Sequence, residues 1–341
     1  MNENRKYRPM HIALLGCGYA AEMHSKSLRT LGKRARCYYA SRNPARAEEM
    51  NERYRGAGHF ESHQAAIASP DIDVVAVLTP PAHHLDTTLR ALAAGKDVIV
   101  EKPPFLRAAD FDRIEEACRE TGQRVFVAEN YYYKPLAHTL RQLLADRVIG
   151  DVLFVHLNAI KLQKTGDWRD DTALSGPGAL FEGGIHWINF LANVGLEVTA
   201  VHATRPGPDR GMDRSMLVTL EYDSGAVATL SYSWEVPSTL KGLRISRIFG
   251  RQGSILFESN GIFLAVNGIR KQLLFPGFRD IQGYKAMFRD FYRAWSTGRE
   301  PAMDLARARR DLDIVEAAYR SAASARVPLS SPRPDFRDKG E

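Results

Sequence analysis

The first third of the chain alternates short apolar runs with amphipathic stretches. The apolar runs are 11–15, 37–40, 74–78, 98–100 and 124–128, and the amphipathic stretches are 20–31, 44–55, 82–94 and 108–121. Runs this apolar are typical of strands buried on both faces of a parallel sheet, and the stretches between them have helical spacing. This regular alternation predicts a doubly wound α/β fold, a Rossmann domain, over residues 1–128.

The pattern changes after residue 128 to longer strands in which apolar and polar residues alternate. These predicted strands are 151–162, 215–222, 226–234, 245–249, 255–258, 262–266 and 271–275. Asn-Gly at 260–261 and at 267–268 stands between such strands, where it is a strong signal for a tight hairpin. The pattern predicts an α+β domain over 129–327 with an open, mostly antiparallel sheet.

This second domain also has helical stretches, predicted at 136–145, 182–194, 283–297 and 304–324. The last of them closes the domain and can pack back on the first domain. The tail 328–341 contains prolines and several charges and has little to bury, so we expect it to be mobile.

Composition and charge narrow the class of protein. The 341 residues are 44% hydrophobic and 26% charged, which suits two globular domains of about 150 residues each. No apolar run approaches the roughly 20 residues of a membrane span, and Cys17, Cys37 and Cys118 form no disulfide framework or zinc pattern. The net charge of +7 is scattered, which argues against a nucleic-acid partner. We expect a cytoplasmic protein with a small-molecule ligand and no membrane or nucleic-acid partner.

A glycine pattern follows the first apolar run directly. Residues 16–21, Gly-Cys-Gly-Tyr-Ala-Ala, read G-x-G-x-x-A, a form of the dinucleotide fingerprint. Gly16 permits the tight turn, Gly18 lets a pyrophosphate approach the backbone, and Ala21 lets helix and strand pack closely. The candidate cofactor-binding residues are therefore Gly16, Gly18, Tyr19, Ala20 and Ala21. The alternative is a tight turn without a ligand.

The end of the second predicted strand bears on which dinucleotide binds. NAD enzymes usually have Asp or Glu there to hold the ribose 2′-hydroxyl, whereas this chain has Ser41-Arg42-Asn43. A hydroxyl and a guanidinium, with no carboxylate to repel an anion, suit a 2′-phosphate. The sequence thus favours NADP(H) over NAD(H), with Ser41 and Arg42 as the contacts. The alternative is that both residues only open a loop.

Two further motifs are more specific than the glycine loop. The first comprises Thr-Pro-Pro-Ala-His-His at 79–84 and Glu-Lys-Pro at 101–103. The second is a glycine-rich turn at 176–178 followed by Glu182-Gly-Gly-Ile-His186. With these motifs the chain resembles the Gfo/Idh/MocA family, the glucose-fructose oxidoreductase and inositol dehydrogenase group, over nearly its whole length.

The resemblance implies a position for the first motif. In that family the lysine of Glu-Lys-Pro lies beside the nicotinamide and the substrate hydroxyl, which points here to Lys102. Thr79, Pro80, His84 and Glu101 would then border the same part of the cofactor crevice. Physical reasoning agrees for Lys102, because the carboxyl end of a parallel strand faces the crevice where such sheets bind ligands. There an ammonium group can exchange a proton or donate a hydrogen bond to the substrate oxygen.

Glu182 and His186 complete the candidate catalytic set with Lys102. They are four residues apart, so on a helix they share a face and one can orient the other. His186 is then the candidate general acid/base; the alternative is a histidine that only satisfies a backbone carbonyl. No third ligand stands at metal-binding spacing, so no metal is expected. His24 and His83 are expected to be surface or packing residues.

The chain departs from the family pattern at two positions. The family more often has Asp where this chain has Glu182, and the longer side chain can shift the role of the carboxylate from binding a substrate hydroxyl to holding Lys102 or His186. Many relatives have Arg where this chain has Tyr132. Lys134 can supply the missing positive charge.

Five residues are candidate substrate contacts: Tyr131, Tyr132, Lys134, Trp168 and Arg169. The tyrosines offer hydroxyls and flat faces to a sugar-like ring, although a hinge packed with aromatics is an equal alternative. Trp168 and Arg169 fall where a substrate-covering loop would lie, and the alternative for them is a domain interface.

Together these features predict an NADP(H)-dependent oxidoreductase that moves a hydride between nicotinamide and a secondary alcohol or ketone of a sugar, cyclitol or nucleotide-linked sugar. Two alternatives remain open: a non-catalytic NADP-binding sensor on the same fold, and an NAD-dependent glycoside hydrolase. Because the open sheet of the second domain resembles those that the family uses for assembly, we also expect a homodimer or homotetramer.

Overall fold

The computed structural model describes residues 8–207, 211–238 and 242–324. These residues form a six-stranded parallel sheet and an eight-stranded, mostly antiparallel sheet, which confirms the predicted α/β class. No helix in these three ranges is long and apolar enough to cross a membrane. The tail 328–341, predicted to be mobile, lies outside the described residues.

The first sheet is built from β1 (Met10–Leu15), β2 (Ala35–Ala40), β3 (Gly58–Phe60), β4 (Val74–Val77), β5 (Asp97–Glu101) and β6 (Val125–Ala128). Its helices are α1 (Tyr19–Leu28), α2 (Pro44–Tyr54), α3 (His63–Ala68), α4 (His84–Ala93) and α5 (Asp110–Thr121). The strands are parallel in the order β3-β2-β1-β4-β5-β6. The order reverses between β1 and β4, and open sheets of this kind bind ligands beyond the carboxyl ends of the strands at that point.

Two elements of the first sheet are absent from the sequence-based prediction. β3 is a three-residue edge strand, Gly-His-Phe, and α3 has six residues and buries only Ala66. Neither contains an apolar run or a full amphipathic period, which are the signals used for prediction.

The second sheet is built from eight strands: β7 (Val152–Ile160), β8 (Val198–Thr204), β9 (Ser215–Tyr222), β10 (Val227–Ser233), β11 (Ile245–Gly250), β12 (Gly253–Glu258), β13 (Leu264–Asn267) and β14 (Lys271–Leu274). Their order is β14-β13-β12-β11-β7-β10-β9-β8, and β7 and β10 run parallel while the other neighbours are antiparallel. The sequence pattern did not predict β8, an edge strand whose one buried residue is Ala203.

The remaining helices are α6 (Pro135–Ala145), α7 (Thr172–Ser175), α8 (Ile185–Ala192), α9 (Tyr284–Thr297) and α10 (Leu305–Ala323). Although α9 follows the second sheet in sequence, it packs on the first: the rings of Phe291 and Phe126 lie 5.4 Å apart. Helix α10 lies along β8 and also reaches α5, where Arg309 forms an ion pair with Asp112 at 2.7 Å. The last two helices therefore tie the two sheets together.

A π-helical turn at Leu180–Gly184 leads into α8 and carries Glu182. A side-chain carbon at Gly183 would lie 2.3 Å from the Tyr232 hydroxyl oxygen, so the turn can approach β10 only as glycine. Its start is held by Asp213, which accepts hydrogen bonds from the Leu180 amide at 3.0 Å and from the Tyr319 hydroxyl at 2.5 Å. The backbone that presents Glu182 and His186 is thus fixed by packing.

Candidate active site

The glycine loop after β1 has the shape that a dinucleotide needs. Gly16 has φ +118°, and a side-chain carbon there would lie 2.8 Å from the Leu78 carbonyl oxygen. Gly18 is the N-cap of α1 without a side-chain cap, and an added carbon there would meet nothing within 4 Å. Residues 19–21 form the first turn of α1, with Tyr19 exposed and Ala21 buried. Open backbone amides at a helix N-terminus suit a pyrophosphate, so the residues present fit a nicotinamide dinucleotide.

The end of β2 presents Ser41 and Arg42 at the surface. The Ser41 hydroxyl oxygen accepts a hydrogen bond from the Asn43 amide at 3.2 Å. Arg42 is exposed, makes no ion pair within the described part of the chain, and lines a surface cavity of about 740 Å³ with His63 and Glu61. A guanidinium without a protein partner is available to an anionic group of a ligand.

Lys102 lies at the carboxyl end of β5 and reaches the second domain. Its Nζ donates to the main-chain oxygen of Glu182 at 2.8 Å and lies 3.4 Å from the Glu182 carboxylate oxygen Oε1. The Arg169 Nε lies 3.5 Å from the same oxygen. Burial raises the pKa of Glu182, but the charges of Lys102 and Arg169 outweigh it and leave the pKa below its usual value. Glu182 is therefore an ionised carboxylate that holds Lys102.

His186 is held by a carboxyl group other than the one that the sequence pattern indicated. Its Nδ1 lies 2.7 and 2.9 Å from the two carboxyl oxygens of Glu129, which directly follows β6. The Tyr131 ring stacks on the imidazole with centroids 4.2 Å apart and planes 12° apart. Of the two partners that the sequence left open for Glu182, the structure shows Lys102 and not His186. With Nδ1 engaged by Glu129, Nε2 is the ring nitrogen that is left for a ligand.

Burial and charge set the protonation of this pair. Burial lowers the pKa of His186 well below its usual value, and the charges of Lys102 and Lys134 lower it further. Burial also raises the pKa of Glu129 to about 8. The positive neighbours disfavour an imidazolium, so the pair is most stable with a neutral imidazole and one proton held in the Glu129–His186 hydrogen bond.

A second buried glutamate–histidine pair lies under Lys102. His24 is fully buried, and its Nε2 lies 2.7 Å from the Glu101 oxygen Oε1. The other Glu101 oxygen accepts the Lys102 amide hydrogen at 2.8 Å. Burial raises the pKa of Glu101, but the hydrogen bond and charge of His24 and the charge of Lys102 more than offset this and hold it at about 2. His24 is thus a buried packing residue, and it also supports the strand end that carries Lys102.

The loop after β4 provides Thr79, Pro80 and His84. The His84 ring is buried, with Nδ1 2.9 Å from the Pro103 carbonyl oxygen and Nε2 2.7 Å from the Thr79 carbonyl oxygen. His84 thus ties the loops after β4 and β5 together. Within the described residues the buried Thr79 hydroxyl has no hydrogen-bond partner, and Pro80 is half-buried beside it.

The predicted substrate contacts fall in different surroundings. Lys134 is buried, and its Nζ lies 4.3 Å from the centroid of the Tyr131 ring that stacks on His186. Tyr132 instead packs against Arg141, whose guanidinium lies 4.5 Å from the ring centroid. The structure therefore brings Tyr131 and Lys134 to the site but gives Tyr132 a packing contact.

Trp168 and Arg169 form a short helical turn between β7 and α7. The guanidinium of Arg169 lies 4.6 Å from the Trp168 ring centroid and binds Asp167 at 2.5 Å in addition to Glu182. Both residues are half-buried and border the carboxylate that holds Lys102.

Sequence reasoning missed four residues of this region: Glu129, His24, Lys161 and Arg244. A signal existed for Glu129, because it follows β6 as Glu101 ends β5, and neighbouring parallel strands end at the same edge. Lys161 and Arg244 flank β7 and β11, which pair antiparallel with Arg247 opposite His156. That register depends on the folded sheet, so the hydrophobic pattern alone could not bring the two cations together.

A Rossmann sheet with an open glycine loop, a lysine at a strand end and a histidine at the start of α8 defines a dinucleotide-dependent enzyme class. Residues 10–129 match the oxidoreductase family with an NAD-binding Rossmann fold, and residues 137–256 match the GFO/IDH/MocA C-terminal domain. The chain belongs to the Gfo/Idh/MocA oxidoreductase family.

Relatives in this family are named as dehydrogenases. The D-xylose 1-dehydrogenase (NADP(+)) 2 of Haloferax volcanii is 27% identical over 297 residues, which cover 83% of this chain and 88% of that protein. The trans-1,2-dihydrobenzene-1,2-diol dehydrogenase of Danio rerio is 28% identical over 246 residues, 70% of this chain and 71% of that protein. A solved levoglucosan dehydrogenase, in complex with NADH and levoglucosan, has a TM-score of 0.81 at 20% identity, covering 93% of this chain and 98% of that one.

Proposed function

We propose that this protein is an NADP(H)-dependent dehydrogenase or reductase acting on a secondary alcohol or ketone of a sugar, cyclitol or nucleotide-linked sugar. The observation that carries the proposal is the pairing at the crevice: Lys102 is held by Glu182, and His186 is held by Glu129 with its Nε2 left for a ligand. Two positioned proton-handling groups beside a dinucleotide loop are what hydride transfer to or from a carbinol carbon requires.

The cofactor would be held along the carboxyl edge of the first sheet. The Gly16–Gly18 loop and the first turn of α1 present amides to the pyrophosphate, and Ser41 and Arg42 lie where a ribose 2′-substituent would reach. When bound, the nicotinamide supplies or accepts the hydride. The preference for NADP(H) rests on Arg42, an exposed guanidinium at a position where a carboxylate would repel a 2′-phosphate.

The chain itself supplies position and a path for the proton. The Lys102 ammonium, fixed by two Glu182 oxygens, can donate a hydrogen bond to the substrate oxygen and so favour the charge that develops there. His186 can accept or return the hydroxyl proton through Nε2, while Glu129 holds its Nδ1 and fixes the orientation of the ring. Because burial favours a neutral imidazole and a protonated Glu129, the pair can give a proton through Nε2 in ketone reduction, and once it has lost that proton Nε2 can take one from the alcohol in oxidation.

The experiment compares NADPH and NADH binding by direct titration of the wild type and of Arg42→Ala. A charge-assisted hydrogen bond contributes about 1.5–3 kcal/mol, so NADPH should bind roughly 10- to 150-fold more tightly, and the variant should lose most of that preference. Arg36→Ala, an exposed arginine at the other end of β2, is the matched control and should keep it. Equal affinities in the wild type would contradict the NADP(H) assignment.

A substrate screen tests the reaction class. Cofactor absorbance is followed with ketosugars and inosose as acceptors and with aldoses and polyols as donors. Turnover with any member supports a dehydrogenase or reductase. Tight cofactor binding without turnover across the panel would favour a binding protein, and release of sugar from a glycoside without net cofactor change would favour a hydrolase.

We also propose a cytoplasmic homodimer or homotetramer assembled through the outer face of the second sheet. That face exposes large apolar side chains on strands β7, β9 and β14, namely Phe154, Leu217 and Leu273. Exposed apolar patches on sheets are typical of interfaces between subunits. Light scattering measures the mass in solution, and a monomer at micromolar concentration would contradict this assembly.

A further inference from the structure

Three positively charged side chains lie close together near His186. Lys134 precedes α6, Lys161 follows β7, and Arg244 precedes β11, so the chain brings them together from three separate elements. Lys134 and Arg244 are more than nine-tenths buried, and Lys161 is half-buried. Below, these three residues are called the cation cluster.

Aromatic rings connect the cation cluster to His186. The Tyr131 ring stacks on the imidazole and meets the Trp187 ring edge-on at 5.0 Å. The Lys134 Nζ lies 4.3 Å from the Tyr131 centroid, and the Arg244 guanidinium lies 5.4 Å from the Trp187 centroid. One aromatic ring therefore separates Lys134 from His186, and two separate Arg244 from it.

Lys161 belongs to the same group by position and charge. It follows β7 as Arg244 precedes β11, and these two strands are hydrogen-bonded neighbours. Burial lowers the pKa of Lys161 to about 8, and the charges of Arg244, Lys102 and Arg169 act in the same direction. Lys161 is thus within electrostatic reach of both Arg244 and Lys102.

No carboxylate in the described residues forms an ion pair with the cation cluster, although the charges of Glu258 and Glu129 act on Lys134 and that of Glu182 acts on Lys161. Within residues 8–207, 211–238 and 242–324, none of its members forms an ion pair, and the amino groups of Lys134 and Lys161 have no hydrogen-bond partner. Arg244 donates to the Asn260 side chain, while its buried Nε has no partner. The nearby Glu258 carboxylate is occupied by the Asn260 amide and side chain and the Ile262 amide.

We propose that the cation cluster binds an anionic group of the substrate, a carboxylate or a phosphate, and so selects an acidic or phosphorylated sugar over a neutral one. The inference deepens the proposed function, on which it rests for the reaction at the neighbouring carbon. Lys134, Lys161 and Arg244 supply the charge, and the amino groups of Lys134 and Lys161 supply hydrogen-bond donors.

The physical reason is the cost of leaving such charges alone. A buried ammonium or guanidinium loses its hydration, and the loss is offset only when an opposite charge and hydrogen bonds replace the water. Three cations without a direct ion-pair partner in one place are therefore costly in the free protein. A ligand oxyanion removes that cost, and arginine and lysine are the side chains that most often bind carboxylates and phosphates.

The experiment measures binding by calorimetry without turnover, using D-glucuronate, D-glucose 6-phosphate and D-glucose as probes on the full chain. D-Glucuronate or D-glucose 6-phosphate should bind at least tenfold more tightly than D-glucose. Tighter binding of D-glucuronate indicates a carboxylate site, and tighter binding of D-glucose 6-phosphate indicates a phosphate site. If D-glucose binds as well as both anions, the cations serve only as donors to hydroxyl groups and the inference is wrong.

Two variants locate the effect. Arg244→Met and the less buried Lys161→Gln should each weaken binding of the preferred anion by about tenfold to a hundredfold, as expected for loss of a charge-assisted contact. Arg251→Met, an exposed arginine in the turn after β11, is the matched control and should leave anion binding unchanged. Circular dichroism checks that each variant is folded. Anion binding that survives both Arg244→Met and Lys161→Gln would overturn the inference.

The outcome separates this inference from the proposed function. Charge-dependent anion binding without any hydride transfer would keep the cation cluster and remove the proposed reaction. Turnover of neutral sugars without preferential anion binding would keep the proposed reaction and remove the anion-binding role of the cation cluster.

Discussion

Two glutamates at the ends of neighbouring strands each bind a histidine, yet their surroundings drive them to opposite protonation states. Glu101 ends β5 and binds His24, and its pKa is held at about 2. Glu129 follows β6 and binds His186, and burial raises its pKa to about 8. The same two residue types, 2.7 Å apart in each case, therefore form an ionised carboxylate in one place and a proton-holding pair in the other.

The difference comes from the neighbours of each histidine. His24 is enclosed by aromatic rings of α9, with Phe288 edge-on at 5.1 Å, and its Glu101 also receives the Lys102 amide hydrogen. His186 instead lies near Lys102 and Lys134, whose positive charges oppose an imidazolium. The first pair thus supports a strand end, and the second holds a proton that can move at the edge of the crevice.

The largest effect that distinguishes the two pairs should come from removing each histidine in turn. His186→Ala should lower kcat by about 10²–10⁴, the usual contribution of a positioned acid or base, with cofactor affinity retained. His24→Ala should mainly lower stability, because it opens a cavity in a packed region and leaves Glu101 without its partner. Steady-state kinetics and urea unfolding of both variants make the comparison. Near-full turnover in His186→Ala would remove it from the mechanism.

A double-mutant cycle gives the next largest effect and tests which carboxyl group acts with His186. Glu129→Gln should lower kcat by about 10–10². The double variant Glu129→Gln/His186→Ala should have a kcat only slightly below that of His186→Ala alone, because residues that act as a unit are non-additive. Glu182→Gln acts through Lys102, so its loss should multiply with that of His186→Ala.

One alternative that the sequence left open is the opposite result, in which Glu182 and His186 form the coupled pair. Multiplicative losses for Glu129 and His186, with non-additive losses for Glu182 and His186, would support that alternative and contradict the geometry. Cofactor titration of every variant serves as the control for intact binding.

Sequence reasoning was most successful where local pattern decides the structure. Apolar runs and Gly16 and Gly18 predicted the Rossmann sheet and the loop after β1, because these depend on neighbours in sequence. The spacing of Glu182 and His186 placed both on one segment but did not determine their partners. That choice depends on Lys102 and Glu129, which come from strand ends more than 50 residues away in sequence. The packing of α9 on the first sheet also could not be predicted, because Phe291 and its partner Phe126 are far apart in sequence.

The last effect concerns stability and not turnover: its pH dependence should differ between the two glutamates. The folded pKa of Glu129 is raised, so its contribution is fully present below its usual pKa near 4.5 and is lost as the pH rises through about 8. The folded pKa of Glu101 is lowered, so its contribution is present above about 4.5 and is lost only as the pH falls through about 2. Of these two glutamates, only Glu129 should change the stability between pH 5 and pH 8.

Glu129→Gln should therefore gain stability relative to the wild type on going from pH 5 to pH 8, on the order of 3–4 kcal/mol at about 1.4 kcal/mol per unit of pKa difference. Glu101→Gln should be less stable than the wild type by a nearly constant amount over the same range, because Glu101 stays ionised throughout. Urea unfolding of the cofactor-free protein at both pH values measures the four differences. If the Glu129→Gln offset is the same at pH 5 and pH 8, Glu129 does not hold a proton in this range, and the contrast between the two pairs disappears.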